Sequence, residues 1–317
     1  TNAADYPTVT ARSKVKVKGR VTDADGNTLS DFSGKVMPTV FDAERVIETF
    51  GHSSVGEDDG KVMMYNDRKN RLFTGTFAVK NGRWEATLVI PEEIDNNYSP
   101  ALLNLYAFSD DLREANGSTE KFYVYGFADD SANPDNTDPE ILAIGLNSYM
   151  FKNGSTVNAS PLFVAKVRDD SGINISSSGI GKQMTLIVDG RRIYEDLVDH
   201  FTPDIDDYLA GEVQYTIPTL DDGDHTAQFL VWDNAGNSTS QTLEFTVRAD
   251  MKPSVNVYTD ASPATTGVTF YITPDIPAEG LHSHVAVYDL SGRMIWDDQG
   301  VDSGNPAMPL KTYWNLT

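Results

Sequence analysis

"LFTGTFAVKNGRWEATLVIP", residues 72–91, carries the pattern on which the fold turns. Asn81-Gly82 is the strongest short hairpin signal in the chain, because a two-residue turn needs positive φ at both central positions and these residue types tolerate it. The stretch therefore predicts two strands joined at that pair. Working outward, "KVKVKGRV" sets Val15 and Val17 alternately against lysines before the turn cluster "DADGN". "ALLNLYAFS" and "EKFYVYGFA" supply two further strands, so residues 1–128 are expected to form a first β-sandwich.

"DDSANPDNTDP" then breaks the pattern with acidic, prolyl and small polar residues, which marks residues 129–138 as a linker. From residue 139 to 248, "EILAIGLN", "PLFVAKVRD", "QMTLIVDG", "GEVQYTIP", "HTAQFLVWD" and "QTLEFTVR" predict a second sandwich of six strands. Between them "RIYEDLVDHFTPDIDDYLA" has no helical period and contains Pro203, so the segment from Arg191 to Ala210 is expected to be a loop with at most one helical turn. A long insertion on a sandwich costs little stability, and this loop is where partner contact is expected.

A short linker, 249–252, leads to residues 253–317, where "SVNVYT", "GVTFYIT", "HVAVYDLSGRMIWDD" and "KTYWNLT" predict strands and Leu290-Ser291-Gly292-Arg293 a hairpin turn. This third unit is near the lower size limit for independent stability and is expected to be incomplete, since the chain stops directly after a strand-like run. The fold class is thus all-β, a tandem array of three immunoglobulin-like β-sandwich domains with the last one small.

Composition narrows the function classes. The 317 residues hold 25 Lys plus Arg against 47 Asp plus Glu, a formal net charge of −22. Phosphate-rich partners are repelled by such a surface, so nucleic acid and anionic lipid are not expected ligands. No apolar run approaches the ~18 residues of a transmembrane helix, and the start "TNAADYPTV" lacks the basic and apolar regions of a signal peptide, so the chain reads as a mature or excised piece. Cysteine is absent, which removes disulfides, thiolate zinc sites and a cysteine nucleophile from this stretch.

Four groups of residues were weighed as sites. His225, Asp233 and Ser238 in "DDGDHTAQFLVWDNAGNSTS" (221–240) are the residue types of a hydrolytic triad, but proximity in sequence says nothing about geometry, and no nucleophile-elbow motif accompanies them. His282 and His284 share a strand face at i, i+2 spacing and would need carboxylates from elsewhere to hold zinc. Carboxylates cluster at Asp23–Asn27, at Asp169 and Asp170, and at Asp204–Asp207; turn chemistry accounts for them, and a structural calcium is the alternative, although none matches an EF-hand. Trp84, Tyr98 and Trp296 offer a sugar platform, with burial in the core as the competing reading. The expected catalytic, cofactor-binding and metal residues are accordingly none.

Several segments, taken in order, resemble one family. "SGKVMPTVFDAERVIETFG" (33–51) and "LFTGTFAVKNGRWEATLVIPEEI" (72–94) resemble the region that follows the protease domain of the gingipain-like sortases of the type IX secretion system, the PorU family. "DDSGINISSSGIGKQMTLIVDG" (169–190) and "DHFTPDIDDYLAGEVQYTIPTLDDGDHTAQFLVWDNAGNS" (199–238) continue the likeness. "VAVYDLSGRMIWD" (285–297) resembles the C-terminal domain shared by type IX cargo and these sortases.

The resemblance implies a cell-surface cysteine peptidase of a Gram-negative bacterium that removes cargo C-terminal signals and helps attach cargo to lipopolysaccharide. Its catalytic cysteine and histidine lie in an N-terminal domain, and with no cysteine here no catalytic residue carries over. The β region would be scaffold and docking surface for attachment-complex proteins and cargo C-terminal domains on the extracellular face of the outer membrane. "VYTDASPATTG" (257–267) departs from the family's proline-asparagine-proline entry, and the usual closing strand after "YWNLT" is absent. An open sheet edge there predicts self-association. The rival reading is a surface adhesin or glycan-binding module.

Overall fold

The protein is described from a computed structural model covering residues 5–49, 62–129, 134–176, 181–194, 197–251, 255–274, 281–302 and 309–316. Almost all regular structure is β, as the alternating sequence demands. Two hydrophobic clusters organise it, one drawn from residues 21–124 and one from residues 146–247.

In the first, the strand Gly34–Phe41 pairs on one side with Leu102–Ser109, which pairs in turn with Glu114–Thr119. On its other side it takes Arg71–Thr74 and Phe77–Val79. Lys14–Arg20 pairs with Arg83–Val89, and Thr8–Ala11 runs parallel to Tyr123–Phe127. Val36, Val40, Leu72, Phe77, Trp84, Ala86 and Leu88 meet between these layers.

The Asn81-Gly82 turn forms as expected: φ is 52° and 67°, and Lys80 and Arg83 exchange backbone hydrogen bonds of 2.9 and 3.0 Å. A Cβ on Gly82 would stand 2.3 Å from the Leu29 carbonyl oxygen, so glycine is required by space as well as by φ. The flanking segments do not continue as a hairpin, however. After that one residue pair, Phe77–Val79 joins Gly34–Phe41 while Arg83–Val89 joins Lys14–Arg20.

The first segment is also broken in two between Thr74 and Phe77. Gly75 N–H donates to the Pro38 carbonyl, so the absent N–H of Pro38 lies on the same edge and the ladder fails there. That gap frees Thr76 to form a parallel bridge with Ile205.

The second cluster lies between two sheets. One has the order Glu140–Leu146, Leu162–Arg168, Ala210–Thr216, Phe201–Pro203; the other is Thr156–Val157, Ser238–Val247, Gly223–Trp232, Thr185–Val188, Arg192–Tyr194. Phe163 and Phe229 meet across it with ring centroids 5.2 Å apart, and both are fully buried. Burial of each contributes about 1.5–3 kcal/mol.

The segment 191–210 differs from the expected free loop. It contains the short strands Arg192–Tyr194 and Phe201–Pro203 and the 3₁₀ turn Leu197–His200, whose Leu197 and Val198 are buried. Its second half is fastened to the first core. Asp206 N–H donates to the Thr76 carbonyl at 2.9 Å, and the Asp206 carboxylate accepts from Ala78 N–H at 2.8 Å. Arg71 and Asp199 pair at 2.9 Å, and Tyr208 packs against the first cluster. The segment is thus tied to the first core, while Asp199, His200, Thr202, Asp204, Ile205 and Asp206 remain exposed.

Arg45–Glu48 pairs with Met64–Asp67, and the remaining strands make the sheet Val255–Thr259, Gly267–Pro274, Leu310–Asn315 and the separate hairpin Leu281–Tyr288 with Met294–Asp302. The turn at residues 289–293 joins that hairpin as expected. Val268 and Ile272 are the buried hydrophobic side chains among the described residues here. Trp296, stacked between Phe270 and Trp314 at 5.9 Å from each, ties hairpin to sheet.

Candidate functional site

The hairpin Gly223–Trp232 with Ser238–Val247 separates the three triad residue types. His225 lies opposite Phe245 and Trp232 opposite Ser238, so His225 and Ser238 stand seven register positions apart, about 23 Å along the strands. The partner of His225 is Asp189, whose Oδ2 is 2.8 Å from Nδ1, and the Asp221 carbonyl lies 2.8 Å from Nε2. Both ring nitrogens are taken, which leaves neither to receive a proton from a serine. Asp233 sits in the buried turn at the other end.

His282 and His284 are exposed on one strand face, and His284 Nε2 lies 3.1 Å from Asp297 Oδ2. Among the described residues, no pair of carboxylates joins them into a metal-sized cluster. The three aromatic residues do not form one platform. Trp84 is buried in the first core, Trp296 is half-buried between its two aromatic neighbours, and Tyr98 is exposed. Tyr98 instead stacks on Tyr123 at 4.5 Å and meets Tyr125 edge-on at 5.2 Å.

The acidic turns separate into two kinds. Asp23 is exposed and closes "DADGN": its carboxylate accepts from Asp25 N–H, Asn27 N–H and Asn27 Nδ2 at 2.8–3.1 Å. The Asn27 side chain leads in holding its carboxyl below the usual range. Asp206 and Asp207 are engaged by Ala78 N–H, Arg168 and Leu209 N–H.

Asp233 closes "DNAGN" with the same set of bonds, from Ala235 N–H, Asn237 N–H and Asn237 Nδ2. Unlike Asp23 it is fully buried, and burial pushes its carboxyl up. Asp169, 4% exposed, accepts from Ser171 N–H and Oγ at 2.7 Å and is likewise pushed up by burial. Asp135, from the acidic segment read as a linker, completes a group in which carboxylate oxygens of Asp135, Asp169 and Asp233 all lie within 4.8 Å of one another. Of the carboxylates that cluster in sequence, Asp169 belongs to this group; Asp233 is the carboxylate of the triad residue types and Asp135 part of the expected linker, and the signal that could have linked them is the repeated D-x-x-G-N turn beside an acidic segment.

No protein-family model matches the chain, and no curated protein matches it. Among solved structures, dimeric latent PorU from Porphyromonas gingivalis is 32% identical over 98% of this chain and 29% of its own, with a TM-score of 0.46. The chain thus spans 29% of the length of that protein. Fibronectin(III)-like modules of Clostridium thermocellum CbhA match 78% of this chain and 92% of theirs at 11% identity and a TM-score of 0.22. Bacteroides ovatus SGBP-B, solved with a mixed-linkage heptasaccharide, matches 100% of this chain and 67% of its own at 9% identity and a TM-score of 0.20.

Proposed function

We propose that this chain is the non-catalytic scaffold and docking region of a type IX secretion sortase, a cysteine peptidase whose catalytic groups lie outside the chain. A property of sequence carries the reading: segments from all three β units resemble that family in the same serial order, with 32% identity along 98% of the chain. The superposition, at a TM-score of 0.46, carries no part of it. No cysteine is present, so a cysteine-peptidase site is not built from these residues.

In this reading the units are 1–128, 139–248 and 253–317, joined at 129–138 and 249–252. The first two act as the rigid support, and the last presents open strands to cargo C-terminal domains and attachment-complex proteins at the outer-membrane surface. Strands with unpaired backbone groups and exposed apolar side chains are suited to adding another chain's strand. Val255, Val257, Tyr288 and Val301 supply such side chains in the last unit.

A glycan-binding module is the second reading, favoured by the exposed Tyr98 on its Tyr123 and Tyr125 neighbours. Biolayer interferometry of the immobilised chain against purified type IX cargo C-terminal domains tests the first. Saturable binding is expected. Absence of binding, together with saturable quenching of aromatic fluorescence by soluble glycans, overturns it in favour of the second.

A further inference from the structure

Asp135, Asp169 and Asp233 converge from three separate segments: the acidic stretch before the second core, the turn after Leu162–Arg168, and the turn after Gly223–Trp232. Holding Asp233 in its turn does not explain the convergence, since Asp23 makes the same hydrogen bonds alone at the surface. Three carboxylates brought together, two of them buried, repel one another unless a cation or protons intervene. No lysine or arginine pairs with any of the three among the described residues. The two cations that line the cavity beside the group are committed elsewhere, Arg12 to Glu92 and the Ala235 carbonyl, Lys14 to the Asp170 carbonyl.

A second observation points to a ligand. Asn234, next to Asp233 and 6% exposed, has a buried side-chain oxygen with no hydrogen-bond partner. Its Nδ2 donates to the Ser171 carbonyl at 3.0 Å, and Ser171 is the residue whose N–H and Oγ hold Asp169. The amide head is thereby fixed against the Asp169 turn, and Asn234 and Asp135 line the same cavity with Ser171 and Asp170. Leaving such an oxygen buried and unsatisfied costs about 1–3 kcal/mol, which a cation would offset.

We propose that Asp135, Asp169, Asp233 and the Asn234 Oδ1 form a calcium site that fastens the acidic segment 134–138 to two turns of the second core. The donors are all hard oxygens, and the three carboxylates, whose oxygens lie within 4.8 Å of one another, fit around an ion bound at about 2.4 Å. Four protein oxygens leave the remaining positions of a six- to eight-coordinate ion to water, from the cavity side. Histidine and thiolate, which zinc prefers, are absent from the group. The site is independent of the proposed secretion role.

The test uses the full chain, stripped with a chelator and titrated with calcium chloride, with magnesium chloride as the control. Calcium near 100 times its Kd is expected to raise the thermal midpoint by on the order of 5 °C. Terbium substituted for calcium is expected to luminesce on excitation of Trp232, the residue before Asp233. Asp135→Ala, which removes a half-buried ligand, is expected to weaken calcium binding about tenfold or more while raising the chelated midpoint, because one of three repelling carboxylates is gone. Asp169→Asn keeps the acceptor oxygen that its turn needs and is expected to abolish the calcium shift. No calcium-dependent shift in the wild-type chain, or a shift that both variants retain in full, overturns the proposal.

Discussion

A single short motif recurs where this chain reverses direction. In "DADGN", "DNAGN" and "DLSGR" an aspartate accepts from the N–H groups two and four residues later and from the side chain of the fifth residue, while glycine at the fourth takes positive φ. The turn needs only one carboxylate, and what the carboxylate does next is decided by burial. Asp42 shows the same dependence elsewhere. It accepts from Ala43 N–H, Asn70 Nδ2 and Asp95 N–H, yet burial dominates and pushes its carboxyl above the usual carboxylate range.

The folded state therefore holds the Asp42 proton more tightly than the unfolded chain does. Stability from this group is fully present below the unfolded value and is lost as pH rises through the folded one. In urea unfolding between about pH 4 and about pH 7, the stability of the wild type relative to Asp42→Asn is expected to fall as pH rises. A difference that grows with pH would mean that the hydrogen bonds outweigh burial.

At the scale of elements, the decisive feature is the join between the two cores. It is mostly polar: Asn174 donates to Glu93 at 2.9 Å, Ser176 to Asn70 at 3.1 Å, and Lys182 pairs with Glu92 and Glu93 at 3.1 and 2.6 Å. Asn70, Asn174 and Ser176 are all buried, so their bonds carry the cost of leaving a polar group unsatisfied if the join opens. Asp206→Ala removes the acceptor for Ala78 N–H, an exposed hydrogen bond, and is expected to cost about 0.5–1.5 kcal/mol. Faster amide exchange confined to residues 76–78 and 197–209 would locate that loss at the join; unchanged exchange there would refute it.

Much of this level was legible in the sequence, and the gaps have physical causes. Alternation and turn residues located most strands, because a two-residue period and positive φ are local properties. In the insert 191–210 the strand Arg192–Tyr194 follows the local Asp189-Gly190 turn, but Phe201–Pro203 gave no such signal, since it is fixed by Val213, Glu212 and Gly211 across the ladder, and Ile205 beside it by Thr76 more than a hundred positions away. The proline behind the break between Thr74 and Phe77 stands in "KVMPTVF", but which edge it faces depends on pairing that sequence does not state. For the candidate site, Asp169 was legible as a turn carboxylate. Its meeting with Asp135 and Asp233 was not, because it arises only when three separate segments come together.

Across the whole molecule stability is unevenly distributed. The two clusters hold many fully buried side chains, whereas the described residues between 255 and 316 bury the hydrophobic side chains of Val268 and Ile272 and carry the Phe270, Trp296 and Trp314 stack. Calorimetry is expected to show the last unit melting below the other two, with the loss of tryptophan near-UV dichroism as its marker. A single transition in which all probes coincide would show that it is held by the rest of the chain.

The strap from Thr76 to Ile205 and Asp206 also gives the molecule a mechanical character. Pulled from its two ends, the chain would pass tension between the first and second cores along two routes at once, the segment 129–138 and the bonded join beside it. While the join holds, the load bypasses that segment, so under a load from outside the first two cores respond as one stiff body and the extension falls on the last.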